Sequence, residues 1–145
     1  MPYLNIWIHF VWATKNRAPL LTKNIRQNVF KHIKNNGDLK NIHIDFVNGY
    51  VEHVHCLVSL NQKQTIAEVA QLMKGESSFW INKNKLTKEK FEWQDEYFAV
   101  SVSERDVNKV REYIKNQEVH HSKTTFAQEY DLFMKKYGFR LLKDV

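Results

Sequence analysis

The stretch from residue 49 to residue 60, GYVEHVHCLVSL, constrains the fold more than any other part of the chain. Its many β-branched and apolar residues predict a strand, in which successive side chains point to opposite faces of a sheet. His53 and His55 therefore share one face, and the other face is apolar: Val54, Cys56, Val58 and Leu60. A strand built for burial that places two imidazoles together predicts a central strand beside a polar site.

The order of the predicted elements is β-α-β-β-α-β, followed by two helices. Strands are predicted over residues 4–13, 42–47, 49–60 and 97–103, with Asn48-Gly49 as a tight hairpin turn between the second and third. This order is typical of an α+β fold, the ferredoxin-like split βαβ, with an antiparallel sheet and its first and third strands at the centre. No linker or repeat interrupts the chain, so residues 1–145 are predicted to form one domain.

Capping residues predict where the helices begin. The first helix follows Thr22 and ends near Asn36-Gly37, the second follows a capping box at Thr65, and residues 76–96 are less regular. A capping box of Ser103 with Asp106 is expected to start one long helix up to residue 121. Thr125 with Gln128 starts the last helix.

The charge and the cysteine count limit the possible functions. A net charge of +6 favours polyanionic partners, nucleic acid first among them. The single cysteine cannot form an internal disulfide, no apolar run is long enough to span a bilayer, and the N-terminus lacks the features of a signal peptide. These observations predict a cytoplasmic protein that is not bound to a membrane.

Two histidines two residues apart on a strand can hold one metal ion. In the predicted long helix, Tyr113 and Gln117 lie one turn apart on the same face, so they can offer a phenolic nucleophile and an amide oxygen. His120 is expected near that face, and His121 is expected to turn away from it. Glu52 should face away from the histidine pair, and His9 should be a hydrogen-bonded core histidine.

Several segments together resemble a known family, the single-tyrosine HUH transposases of small bacterial insertion sequences, which include the REP-associated tyrosine transposases. The segments are WATKNRAPLL, EHVHCLVSL, QLMKGESSFW, FEWQDEYFAVSVS, YIKNQEVHH and TFAQEYDLF. The resemblance implies His53, His55 and Gln117 as metal ligands and Tyr113 as the nucleophile. It also implies a homodimer, and in such dimers the tyrosine helix typically completes the active site of the partner subunit. The sequence leaves open whether Tyr113 acts in its own chain or in the partner.

The implied reaction is cleavage and rejoining of single-stranded DNA beside hairpins, through a 5′-phosphotyrosine intermediate. Imidazole ligands make Mn²⁺ at least as suitable as Mg²⁺, and a structural zinc site is disfavoured because Cys56 lies on the opposite strand face. His120 is a candidate for active-site support. Basic residues after the first strand and in the tract NKNKLTKEK are candidates for DNA contacts: Lys15, Arg17, Lys83 and Lys85.

Three other functions stay open at this stage. A domesticated relative would bind hairpins in host DNA or RNA without moving an element. A split βαβ module without chemistry would read RNA with aromatic side chains on its central strands, but here those strands carry histidines. A nuclease that uses water as its nucleophile would keep its activity after the substitution Tyr113→Phe.

Overall fold

The computed structural model describes residues 1–140 and residue 142, and its centre is a four-stranded antiparallel sheet. The strands are β1 (Trp7–Ala13), β2 (His43–Gly49), β3 (His53–Ser59) and β4 (Phe98–Val102). Their order across the sheet is β2-β3-β1-β4, so the first and third strands are central, as predicted. The α+β fold expected from the order of elements is therefore confirmed.

Five α-helices in the described residues surround this sheet. They are α1 (Lys23–Leu39), α2 (Ile66–Lys83), α3 (Val107–Lys115), α4 (Gln117–His121) and α5 (Phe126–Tyr137). Short 3₁₀ turns span Lys15–Arg17 and Glu104–Asp106. No helix in this part of the chain is long and apolar enough to cross a membrane.

The two faces of the sheet bury different sets of residues. On one face, alternate residues of β3 and β1 join apolar residues of α1 and α2 in the larger core; examples are Phe10, Val29, Val54, Cys56 and Met73. On the other face, Leu57 packs with Val107 and Ile114 of the α3 region in a smaller cluster. This second face is the one that carries the strand histidines.

The predicted hairpin turn at Asn48-Gly49 is wrong. Both residues belong to β2, where they pair with His55 and Val54 across the ladder. The turn instead consists of residues 50–52, and it is closed by the Tyr50 N–H, which donates to the carbonyl of His53 at 3.0 Å. Strand pairing therefore extends two residues further than the turn propensity of Asn-Gly suggests, and β3 begins only at His53.

The helix boundaries also differ from the prediction in several places. α1 runs on to Leu39, and α2 runs on to Lys83, through the start of the segment expected to be irregular. The Ser103 hydroxyl donates to the Asp106 carboxylate at 3.0 Å and forms no N-terminal cap. The expected long helix is broken at Asn116, a residue type of low helix propensity. The predicted caps at Thr65 and Thr125 are both confirmed.

Gly49 permits a close approach between β2 and the start of β3. A Cβ atom there would overlap the backbone carbonyl of His53, whereas a Cβ atom at Gly75 in α2 would meet no atom within 4 Å. We therefore expect Gly49→Ala to lower the free energy of unfolding by roughly 1–3 kcal/mol, because the backbone must shift. Gly75→Ala should raise it by about 1 kcal/mol through helix propensity. Chemical denaturation of both variants tests this, and equal stability of the two would contradict it.

Candidate active site

The two strand histidines are fully buried where three later helices cover the sheet. His53 and His55 each have a relative exposure of 0%. Tyr113 of α3, Gln117 at the start of α4 and Glu129 of α5 lie against them. The structure thus brings together the four residues expected from the sequence and adds a buried carboxylate.

The Nδ1 atom of His53, called here its outer nitrogen, contacts the Glu52 carboxylate, and Nε2 is its inner nitrogen. His53 Nδ1–H donates to Glu52 Oε1 at 2.7 Å, so in the neutral ring the Nε2 atom of His53 carries a lone pair. The expectation that Glu52 faces away from the histidines is therefore wrong. It assumed a continuous strand from residue 49, but Glu52 lies in the turn, where strand alternation does not apply.

The outer nitrogen of His55 is held by a third buried histidine. His9 of β1 lies on the same face, and its Nε2 is 2.8 Å from His55 Nδ1. Burial lowers the pKa of His55 to about 4, although the negative charge of Glu129 opposes the change, and burial lowers the pKa of His9 as well. Both rings are therefore neutral near pH 7. When His55 Nδ1–H donates to His9, the Nε2 atom of His55 is free to bind a metal.

The freed nitrogens of the two histidines face oxygen atoms. His53 Nε2 lies 3.0 Å from Gln117 Oε1, and His55 Nε2 lies 3.1 Å from Glu129 Oε1. The Gln117 amide is oriented by its Nε2–H, which donates to the carbonyl of Tyr113 at 3.3 Å. A ligand lone pair that faces an acceptor oxygen at this distance is stabilised by a cation between them.

The spacing of these atoms fits a divalent cation. Neighbouring ligands of an octahedral ion with bonds of 2.0–2.2 Å lie about 3 Å apart. The distances of 3.0 and 3.1 Å match this spacing, and Glu129 Oε1 is 3.5 Å from His53 Nε2. His53, His55 and Glu129 together form a cluster that can hold a metal ion, and the amide oxygen of Gln117, Oε1, is a possible fourth ligand atom. Cys56 lies in the core on the opposite face, so it cannot contribute.

Glu129 is the residue of this cluster that the sequence prediction missed. It is 2% exposed, and burial alone would raise its pKa, but its contacts with His121 and His55 lower it. A signal for it exists in the sequence. Glu129 lies at helical spacing on the apolar stripe of α5, which it shares with Phe126, Tyr130 and Phe133. A charged residue inside such a stripe indicates a buried partner.

Tyr113 lies on the far side of the same carboxylate. Its hydroxyl donates to Glu129 Oε2, while Glu129 Oε1 faces the histidines. Burial and the negative charge of Glu129 raise the pKa of Tyr113 above its ordinary value. The phenol is therefore held as a neutral hydroxyl whose proton points at a carboxylate oxygen.

His120 and His121 both reach the cluster, so the prediction that His121 turns away is wrong. His121 Nδ1–H donates to the Thr124 carbonyl at 2.7 Å, and its Nε2 is 3.1 Å from Gln117 Oε1 and 3.4 Å from Glu129 Oε2. His121 lies one turn after Gln117 in α4, so the two side chains share one face of that helix. Burial would lower the pKa of His121, but the Glu129 carboxylate and the Thr124 carbonyl raise it. His120 Nε2 lies 3.1 Å from Glu129 Oε2 without hydrogen-bond alignment.

The four candidate DNA-contacting residues lie outside the cluster. Lys15 pairs with Glu92 at 3.1 Å, Lys83 lies over the Phe79 ring, and Lys85 is exposed on the loop after α2. Arg17 lies closer to the site, because its guanidinium packs on Phe126, whose ring in turn stacks on His53 at 4.2 Å.

A split βαβ sheet here carries paired histidines, a buried carboxylate and a tyrosine, a group of residues that can hold a divalent ion beside a phenol. Residues 3–117 match the family described as IS200-like transposases, and the chain therefore belongs to that family. Membership in a transposase family implies DNA cleavage and strand transfer. No curated protein matches the sequence significantly.

Two solved structures have a similar fold. A candidate transposase from Deinococcus radiodurans R1 is 20% identical, with a TM-score of 0.65 over 81% of this chain and 95% of that one. A REP-associated tyrosine transposase bound to a REP hairpin is 17% identical, with a TM-score of 0.62 over 86% of this chain and 73% of that one. At these identities, the likeness supports the fold.

The contact between Glu52 and His53 predicts how tightly the site binds metal. Glu52→Gln keeps the size of the side chain but weakens the charge that orients His53, so we expect the affinity for Mn²⁺ to fall about 10- to 100-fold. Isothermal titration calorimetry measures it. Glu92→Gln is the matched control, because Glu92 pairs with Lys15 on the surface. Unchanged Mn²⁺ affinity in Glu52→Gln would show that this contact does not orient a metal ligand.

Proposed function

We propose that this transposase cleaves and rejoins single-stranded DNA at hairpin-flanked element ends, through a covalent link between Tyr113 and a 5′ phosphate. One observation carries the proposal: a single buried carboxylate, Glu129, contacts the Tyr113 hydroxyl with one oxygen and faces His55 with the other. The nucleophile and the candidate metal ligands are therefore one side chain apart.

His53, His55 and Gln117 would hold a divalent ion, Mn²⁺ or Mg²⁺, with Glu129 as an additional ligand. When bound, such an ion polarises the scissile phosphate and offsets the negative charge that develops on its oxygens. Glu52 and His9 contact the Nδ1 atoms of the two histidines. These contacts keep both Nε2 atoms directed at the side of the site where Gln117 and Glu129 lie.

Tyr113 would act as the nucleophile and Glu129 as its base. The Tyr113 oxygen forms a bond to phosphorus as its proton passes to Glu129 Oε2, and the bond from phosphorus to the 3′ oxygen breaks. The leaving 3′ oxygen takes a proton from water. A free phenol has a pKa near 10, below that of an alkyl alcohol, so a 3′ hydroxyl can later displace it and rejoin the strands without ATP.

Charge and relationship support DNA as the substrate. The net charge of +6 provides a salt-dependent attraction to phosphates, to which the exposed residues Lys15, Arg17, Lys83 and Lys85 would contribute. The structural relative bound to a REP hairpin supports a hairpin in the substrate of this protein too. A cytoplasmic location and a homodimer remain predictions.

Loss of the tyrosine hydroxyl should abolish the covalent intermediate. We expect radiolabelled single strands from the DNA flanking this protein's gene to form a metal-dependent adduct on a denaturing protein gel. Tyr113→Phe should form none, because no nucleophilic oxygen remains, and His53→Ala should form none, because a metal ligand is lost. Tyr3→Phe, a substitution at a fully exposed tyrosine, should behave as the wild type.

Three other results of that experiment have distinct meanings. Cleavage that survives Tyr113→Phe would mean that water is the nucleophile. Tight hairpin binding without any adduct would indicate a domesticated binding protein. Because Tyr113 lies against His55 of its own chain, a mixture of the Tyr113→Phe and His53→Ala proteins should form no adduct. A restored adduct would mean that the tyrosine serves the partner subunit.

The role of Glu129 can be tested separately. Glu129→Gln keeps the shape of the side chain but removes the proton acceptor, so we expect adduct formation at saturating Mn²⁺ to slow by about 10²-fold or more. Rates come from quenched time courses on the same gel assay, with Glu118→Gln as a control at a half-exposed carboxylate. A rate equal to or above that of the wild type would mean that Glu129 blocks the phosphate position and is not the base.

A further inference from the structure

A cavity of about 370 Å³ lies beside the active site, at the edge of the sheet. It exists because β4 begins at Phe98, opposite Val11, so the last residues of β1 have no β4 neighbour. Phe126 and Tyr130 of α5 form part of its wall. The volume is near the lower end of the range of about 300–1,000 Å³ for small-molecule sites, so the cavity suits one group of the size of a nucleoside.

The cavity adjoins the histidines through a shared wall. Phe126 lines the cavity. Its ring also stacks on the His53 imidazole at 4.2 Å, with an interplanar angle of 13°. A DNA strand whose phosphate lies at His53 and His55 would therefore have a neighbouring base within reach of the cavity.

The walls of the cavity match the flat face of a nucleobase. The Arg17 guanidinium lies 4.8 Å from the Tyr130 ring centroid and 5.3 Å from that of Phe126. Among the described residues, the Arg17 side chain has no hydrogen-bond acceptor and no ion-pair partner, and it is exposed. A guanidinium plane supported by aromatic rings is a surface on which unpaired bases stack.

The loop that carries Arg17 is held in an unusual conformation. Asn16 and Arg17 have φ values of 58° and 54°, in the left-handed region that residues other than glycine rarely adopt. Two contacts hold them: the Asn16 N–H donates to Gln94 Oε1 at 3.2 Å, and the Arg17 N–H donates to the Thr14 carbonyl at 2.9 Å. Strain of this kind concentrates at functional sites.

The polar groups of the cavity favour a base over a phosphate. Glu96 lines the cavity, and its carboxylate would repel a phosphate but can accept a hydrogen bond from an exocyclic amino group. Gln94 also lines it, and a primary amide can donate or accept a hydrogen bond at the edge of a base. A base edge that offers an amino donor would be a partner for both groups.

We propose that this cavity binds one unpaired base of the DNA strand next to the scissile phosphate, with the base stacked on Arg17. The inference rests on the proposed function, because an unpaired base is a ligand only if the protein acts on single strands. It adds a specificity site that lies apart from the metal ligands and the nucleophile.

The test compares a strand with bases and a strand without them. Fluorescence anisotropy with EDTA present would measure the affinity for oligodeoxycytidylate of about twelve nucleotides and for an abasic strand of equal length. We expect the wild type to bind the cytidylate roughly tenfold tighter. Arg17→Met and Tyr130→Leu should each reduce that ratio at least about threefold, since both remove a stacking surface.

Lys15→Met is the matched control, because it removes the same charge from the same loop at a side chain that pairs with Glu92. It should weaken both affinities equally and leave their ratio unchanged. The proposal is overturned if the wild type binds both strands equally, or if Arg17→Met weakens both equally, as loss of a phosphate contact would.

The adduct assay on the same proteins separates this proposal from the proposed function. An adduct formed by a wild type that shows no base preference would overturn the base pocket alone. A base preference that depends on Arg17, found in a protein that forms no adduct, would support the pocket and overturn the cleavage reaction alone.

Discussion

The rest of the site depends on how the two buried histidines are held. Each outer nitrogen has a fixed partner, Glu52 for His53 and His9 for His55, at 2.7 and 2.8 Å. The inner nitrogens are therefore directed at the oxygens of Gln117 and Glu129. Burying two imidazoles and a carboxylate costs free energy unless each polar atom is paired, and the spacing of these atoms is compatible with a divalent cation between them.

The sheet and the helices that pack on it contribute different parts of the site. β1 and β3, the two central strands, hold the three histidines through paired ladders on both sides. The helical region then delivers the reactive groups: α3 carries Tyr113, α4 carries Gln117 and His121, and α5 inserts Glu129. α5 lies beyond residue 117, where the match to the transposase family ends, so this carboxylate is a contribution of the chain outside the matched region.

Much of this could be predicted from the sequence, for identifiable reasons. Alternation along β3 places His53 and His55 on one face, and helical spacing brings Tyr113 near Gln117. The errors have one common origin, since both periodicities were extended past the ends of their elements. Glu52 was assigned to a strand although it lies in the turn, and His121 was placed relative to Tyr113 although the helix is interrupted between them at Asn116. The periodicity of α5 indicates that Glu129 is buried, but it does not identify the partners of Glu129, which lie in distant parts of the chain.

The central physical claim is that these lone pairs converge on one divalent ion. The most direct measurement is anomalous diffraction near the manganese absorption edge from crystals grown with Mn²⁺. We predict one strong peak within about 2.0–2.4 Å of the Nε2 atoms of His53 and His55, with an oxygen of Gln117 or Glu129 completing the protein ligands. A fully occupied Mn²⁺ elsewhere and none between these histidines would contradict it.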